Sequence, residues 1–182
     1  MKLTQEQKDR IEEQLAQFPL FGYGYLPTTE VAFSERVRYI CETECPQYGR
    51  SWSCPPAVGT VVECEARING YDEIFVFASL SEVESMDNMS LMLESRKGHE
   101  EITRQITKIF QEAGCETLTL STESCIQCKH CTYPDAPCRL PEVQYPCVES
   151  YGIMVTELAE QIGIPYLQEY GVITWFSVIA VR

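Results

Sequence analysis

The sequence predicts an α/β or α+β fold, in which a mixed sheet of about four to five strands is packed by helices and carries two irregular cysteine-rich loops. Three observations lead to this class. Segments with apolar residues at helical spacing alternate with short apolar and β-branched runs. Proline and glycine cluster between these segments. The cysteine-rich loops fall at 41–64 and 125–147, and the length of 182 residues suits a single domain over 1–182.

The first quarter of the chain predicts a helix, a loop and an extended segment, in that order. Thr4 can cap a first helix, and Gln7 can close a capping box with it. Residues 20–27 are rich in Gly and Tyr and predict a loop. Residues 31–40 contain β-branched residues in partial alternation, so they predict a strand or extended segment that leads into Cys41.

The middle of the chain predicts a buried strand between two helices. Residues 61–68 predict a short helix. The near-continuous apolar run at 73–80 predicts a central strand that is buried on both faces. Residues 87–113 predict a long helix, with Gly98 as a candidate interruption and His99 on its surface.

The last third predicts a strand, the second cysteine loop, a short helix and a final strand. The strand at 117–121 delivers the chain to the loop. Residues 154–162 predict the helix, which ends where Gly163 and Pro165 follow. Residues 173–181 predict the final strand.

Charge and composition exclude several classes of function. The net charge of −13 disfavours nucleic acids and anionic membranes as partners, because both are polyanions. The polar N-terminus lacks the apolar core of a signal peptide, and no apolar run reaches membrane-spanning length. We therefore expect a cytoplasmic protein. The chain has no phosphate-binding glycine motif and only two histidines, so no catalytic constellation is recognisable and a redox role is the expectation for any enzyme activity.

The ten cysteines point to metal binding or redox chemistry, because disulfides are disfavoured in the cytoplasm. Cys125, Cys128 and Cys131 recur at every third residue, and Cys138 follows in a proline-rich loop. Thiolates select zinc, copper(I) or iron–sulfur clusters. The C-x2-C-x2-C run is typical of loops around 4Fe–4S clusters. The alternative is a tetrathiolate zinc site, which normally uses paired C-x2-C knuckles that lie far apart in the chain.

A looser set of cysteines precedes this one in the chain. Cys41, Cys45 and Cys54 supply three ligands, and Cys64 is the candidate fourth. A cube held by three cysteines would keep one iron open for chemistry. In two-cluster ferredoxins the cysteine that precedes proline ligates the other cluster. Cys54 precedes Pro55, so a crossed arrangement in which Cys54 completes the C-terminal cluster is a further alternative.

Two stretches of motif carry a family resemblance. The first is Cys41…Cys45-x2-Tyr48-Gly49-x2-Trp52-x-Cys54-Pro55-Pro56. The second is Cys125-x2-Cys128-x2-Cys131…Cys138-Arg139-x-Pro141-Glu142, followed by Glu149-x2-Gly152-Ile153-x-Val155. Together, from about residue 31 to the end, they resemble the "predicted metal-binding protein" family, domain of unknown function 2284.

The resemblance implies a small cytosolic protein of anaerobic bacteria and archaea that binds metal or iron–sulfur clusters and has no established reaction. Cys64, Cys115 and Cys147 lie outside the family pattern, and the last two are the best candidates for cysteines that bind no metal. The pattern carries a ligand role onto Cys41, Cys45, Cys54, Cys125, Cys128, Cys131 and Cys138.

The leading hypothesis is an iron–sulfur protein with one or two 4Fe–4S clusters, which transfers electrons or activates a partner enzyme. Its acidic surface would steer it to a redox partner with a basic docking surface. Two alternatives stand beside it. One is a zinc-binding structural or interaction protein, and the other is a chaperone that passes metal or a cluster to a client.

Overall fold

The sheet has four strands, and helices cover both of its faces. The computed structural model describes residues 3–182 and confirms the α+β class. The strand order is β1-β2-β4-β3, and the three pairings between these strands are all antiparallel, so their pairing is not mixed. The strands are β1 (Leu20–Pro27), β2 (Glu73–Glu82), β3 (Thr117–Leu120) and β4 (Val172–Val181).

The helices divide between the two faces of the sheet. On one face, α1 and α4 pack against Phe75 and Phe77 of β2. On the other, α3 and α5 pack against Ile74 and Val76 of the same strand. Seven consecutive residues of β2 are buried, which is why its sequence reads as a continuous apolar run. The helices are α1 (Gln5–Leu15), α2 (Glu35–Glu44), α3 (Val61–Ile68), α4 (Met89–Glu112) and α5 (Val155–Gln161).

Most of the periodic segments form the elements that their spacing predicts. Thr4 caps α1, and the capping box with Gln7 is complete. Helices α3, α4 and α5 and strands β2, β3 and β4 lie within a few residues of their predicted bounds. Helix α4 runs unbroken through Gly98. Within residues 3–182, no helix is both long and apolar enough to cross a membrane.

The loop predicted at 20–27 is wrong, because this segment is the edge strand β1. Its glycines are explained by close packing rather than by a turn. A Cβ on Gly22 would lie 2.9 Å from Ile164 Cδ1, and one on Gly24 would lie 2.9 Å from Ile162 Cγ2. Glycine in a strand often marks such a close approach. Here it lets the segment after α5 lie directly on β1.

The strand predicted at 31–40 is also wrong, because most of this segment belongs to helix α2. The Ser34 hydroxyl accepts a hydrogen bond from Arg36 N at 3.2 Å and caps the helix. Only the start of the segment is extended, where Phe33 forms an isolated antiparallel bridge with Ile153. A capping serine thus outweighs the β-branched residues around it.

The prediction that His99 lies on the surface of the long helix is wrong. The residue is buried between α4 and the sheet, with 1% of its surface exposed. Its Nδ1 lies 2.8 Å from Ser79 Oγ, and its Nε2 lies 2.8 Å from Ser177 Oγ. Thr103 Oγ1 continues the network at 2.9 Å from Ser177 Oγ. Both ring nitrogens are therefore paired with hydroxyl groups, as a buried imidazole requires.

Substitution of Gly24 tests the close approach to β1. We expect Gly24→Ala to lower the free energy of unfolding by about 1–3 kcal/mol, because the new Cβ overpacks against Ile162. Gly98→Ala is the matched control. Within the described residues, a Cβ at exposed Gly98 would meet nothing within 4 Å, so we expect a gain of about 0.5–1 kcal/mol from helix propensity. Urea unfolding of both variants measures the difference, and a neutral Gly24→Ala would contradict the packing argument.

Buried His99 should make stability depend on pH. Burial lowers the pKa of His99 to about 3, although a backbone hydrogen bond with Phe176 raises it. Between about pH 6.5 and 3, His99 is protonated in the unfolded chain but stays neutral in the folded chain. The free energy of unfolding therefore falls as the pH falls. We expect His99→Gln to remove up to about 1.4 kcal/mol per pH unit from this slope. Parallel stability profiles for the variant and the parent from pH 7 to 5 would refute the expectation.

Candidate metal centre

The two cysteine loops lie side by side and are joined by polar and aromatic contacts. Trp52 Nε1 donates to the carbonyl of Ala136 at 3.0 Å, and its ring meets Tyr133 edge to face with 4.9 Å between centroids. Cys125 N donates to Ser53 Oγ at 2.8 Å. These contacts span 72 or more residues of sequence, so the loops form one structural unit that neither builds alone.

A cavity of about 850 Å³ opens between these loops. The first loop forms one wall, the second loop forms another, and the N-terminal half of α4 closes a third side. Half of the ten cysteines of the chain line it. They are Cys45, Cys125, Cys128, Cys131 and Cys138.

The thiols of the second loop differ in exposure and in acidity. Burial raises the pKa of Cys125. Cys131 is exposed. Its partial burial raises the pKa of Cys131. Hydrogen bonds from the backbone at Tyr133 and Trp52 and from the Ser51 hydroxyl lower the pKa by more, so it falls below its usual value. The first loop thus stabilises a thiolate on the second.

The cysteines of the first loop lie where α2 ends. Cys41 is in the last turn of α2, and Cys45 is its C-cap residue. Burial raises the pKa of Cys41 to about 11, with smaller contributions from the charges of Cys45 and Glu149. Cys54 is buried, with its Sγ at 3.6 Å from Ser53 Oγ.

Cys147 is the neighbour of Cys54 that the spacing of the sequence does not reveal. A hydrogen bond from the Cys147 thiol lowers the pKa of Cys54 to about 7, and the Ser53 and Ser51 hydroxyls act in the same direction against the effect of burial. Ser150 N donates to Cys147 Sγ at 3.3 Å. The two thiols lie 93 positions apart in the chain, so a local motif cannot link them.

Cys64 and Cys115 lie away from the cavity. Cys64 is fully buried in the apolar cluster under α3 and α5, and its Sγ donates to the carbonyl of Val58 at 3.5 Å. Cys115 packs against the apolar cluster on the opposite face of the sheet, with α1 and α4. The ligand role of Cys64 stays a prediction. Cys64 does not line the cavity, and the same is true of Cys41, Cys54 and Cys147.

The type of donor and the room in the cavity fit a thiolate-bound centre. Five thiols line one open space, and backbone N–H groups and the Ser51 hydroxyl donate to the sulfur of Cys131 there. The thiols do not yet converge on one point. Among residues 3–182, no three His, Cys, Asp or Glu side chains are close enough together to hold an ion. Such sites are rarely preformed without their metal.

The contribution of α4 to the cavity is a further feature that the cysteine pattern does not reveal. Arg96 lines the cavity from this helix although only 3% of its surface is exposed. Buried polar residues at 96, 99, 100 and 103 recur along one face of α4. Polar residues at helical spacing beside an apolar stripe are the signal that would have marked this wall.

The family comparison agrees with the cysteine motifs. The family model described as "Predicted metal-binding protein (DUF2284)" matches residues 24–180. The comparisons with curated proteins and with solved structures found no match. The matched region contains both cysteine loops and the whole cavity wall. The chain belongs to this family of predicted metal-binding proteins.

Proposed function

We propose that this member of the family is an iron–sulfur protein, which holds one or two 4Fe–4S clusters and serves electron transfer or the redox activation of a partner protein. The observation that carries the proposal is the C-x2-C-x2-C run of the second loop, whose thiols line one cavity together with Cys138 and Cys45. When bound, such a cluster supplies one-electron chemistry.

The ligands of the C-terminal cluster in this proposal are Cys125, Cys128, Cys131 and Cys138. Their loop is held by the Trp52 and Ser53 contacts of the first loop, so the thiols are presented by a supported segment. The lowered pKa of Cys131 favours the thiolate, which is the form that binds metal. N–H and O–H groups that donate to sulfur also tune the reduction potential of a cluster.

The N-terminal ligands in this proposal are Cys41, Cys45, Cys54 and a fourth cysteine. The sequence predicts Cys64 for the fourth position. The pKa of Cys54 favours Cys147, because a hydrogen bond with the Cys147 thiol lowers it, whereas Cys64 donates to a backbone carbonyl in the apolar core. The proposal therefore assigns the fourth position to Cys147.

The partner in this proposal is a redox protein with a basic docking surface, which the net charge of −13 favours. Although the net charge of the chain is negative, several of its cationic side chains lie around the cavity. Arg50, Lys129 and Arg139 line the cavity and are exposed around it. A basic partner would therefore dock beside the cavity rather than over its mouth.

Protein purified without oxygen tests the metal. We expect a brown protein that absorbs light at about 400 nm and contains iron and acid-labile sulfide. Cys128→Ser should lose the iron and sulfide of the C-terminal cluster. Cys115→Ser, which changes a cysteine that packs with α1 and α4 and does not line the cavity, should keep the metal content of the parent.

Two results would favour another function, and a third would show that the variants test folding rather than metal binding. A colourless protein with stoichiometric zinc would replace the cluster with a tetrathiolate zinc site. Transfer of an intact cluster to an apo-protein without redox turnover would favour the chaperone role. Equal loss of iron from Cys128→Ser and Cys115→Ser would show that the loss reflects damage to the fold rather than to a ligand.

The fourth ligand of the N-terminal set is tested by two matched serine variants. We expect Cys147→Ser to lower the iron content per chain and Cys64→Ser to leave it unchanged, because Cys147 is the thiol whose hydrogen bond lowers the pKa of Cys54. Both cysteines are buried, so a thermal melt of each variant controls for unfolding. The opposite pattern of iron loss would return the ligand role to Cys64.

A further inference from the structure

Arg96 is a buried guanidinium group on the wall of the cavity. Only 3% of its surface is exposed. In the part of the chain that the structure describes, its Nε and Nη1 atoms are buried and have no hydrogen-bond partner. A buried donor without a partner costs about 1–3 kcal/mol, and more when it carries charge. A bound ligand that supplies hydrogen-bond acceptors to these nitrogens would remove this cost, which explains why a buried arginine lies at this position.

Arg96 acts on the pKa of Glu100, but this carboxylate does not accept a hydrogen bond from Arg96 Nε or Nη1. It lies one turn further along α4 and feels the charge of Arg96, which lowers its pKa against the larger effect of burial. Its ion pair is with Arg104, whose Nη2 lies 3.6 Å from Glu100 Oε2. One carboxylate is thus shared between two guanidinium groups. The lining of the cavity has five Arg and Lys side chains against two carboxylates, Glu94 and Glu123, so positive charge is in excess there.

Gln144 presents a second unpartnered donor on the same cavity. It lines the cavity from the far side of the second cysteine loop. Its Nε2 atom is buried and, across residues 3–182, has no hydrogen-bond partner. The three unpartnered buried side-chain nitrogens of Arg96 and Gln144 are all donors. A ligand that satisfies them must bring acceptors, and an anion matches the charge of Arg96 as well.

The remaining lining indicates a ligand with an apolar body. Leu93, Met89 and Ile126 are large apolar side chains that line the cavity and are at least 36% exposed. The volume of about 850 Å³ lies within the range of pockets that hold small organic molecules. A bare inorganic ion would leave most of this apolar surface in contact with water.

We propose that the cavity binds a small organic oxyanion, a carboxylate or a phosphate ester, whose charged group is held by Arg96 and Gln144 while its apolar body lies against α4 and the second cysteine loop. The inference deepens the proposed function, because the ligand would lie beside the thiols that we assign to the cluster. It rests on that function only for the role of the ligand, since the binding itself uses no metal.

Calorimetric titration with four probes tests the proposal on the protein with and without bound metal. Benzoate and phenyl phosphate carry an oxyanion on an apolar ring, benzamide is the neutral counterpart of benzoate, and inorganic phosphate lacks the ring. We expect benzoate or phenyl phosphate to bind at least about tenfold more tightly than benzamide and inorganic phosphate. The better of the two identifies the carboxylate or the phosphate ester as the preferred group.

Variants of the two donors test the assignment of residues. Arg96→Met should weaken binding of the better probe about 10- to 100-fold. It should also raise the melting temperature of the free protein, because it removes a buried charged group whose Nε and Nη1 have no hydrogen-bond partner among residues 3–182. Gln144→Leu should weaken binding without any change in α4. Arg10→Met is the matched control, since Arg10 is an exposed arginine of α1 and should leave binding unchanged.

Several outcomes would overturn the inference. Binding of benzamide as tight as that of benzoate would show that charge is not recognised. Absence of binding by all four probes to the folded protein would reject the site. A loss of iron in Arg96→Met without any effect on probe binding would make Arg96 a counter-charge of the cluster. Probe binding by a protein that holds no iron would instead leave the inference standing while the proposed function fails.

Discussion

The pairing of β2 with β4, buried on both faces, is the constraint on which the rest of the structure depends. These two strands run antiparallel over ten residue pairs and hold the sheet together. Because apolar side chains leave β2 on both sides, helices must cover both faces. This double cover places α4 along one face and brings its N-terminal half against the cysteine loops. The cavity is therefore a product of how the sheet is buried, although its wall contains no residue of the sheet.

The sequence predicts those parts of the fold in which one strong period decides the structure. The runs that became β2, β4 and α4 are long and regular, and the capping box of Thr4 is a local interaction that the sequence states outright. The glycines of β1 misled because their reason lies in Ile162 and Ile164, which contact them from a segment about 140 residues away. A contact of that range leaves no local pattern.

The candidate site shows the same division between local and distant information. The spacing of Cys125, Cys128 and Cys131 is a local motif, so a common site for these three thiols could be predicted from sequence. The approach of Cys147 to Cys54 and the burial of Arg96 depend on tertiary packing. In both cases the informative feature is chemical rather than periodic. One is a thiol whose hydrogen bond lowers the pKa of another thiol, and the other is a buried guanidinium group with two nitrogens that have no hydrogen-bond partner among residues 3–182. Such features appear only when the chain has been folded.

The hydrogen bond from Cys125 N to Ser53 Oγ also has a consequence for the order of events during synthesis. Ribosomes add about 5–20 residues per second. The first cysteine loop therefore leaves the ribosome several seconds before the second, and β4, the partner of β2, follows both loops. During this interval the early thiols have neither their cavity nor their sheet. A centre that both loops build together could therefore form only after the second loop has been translated.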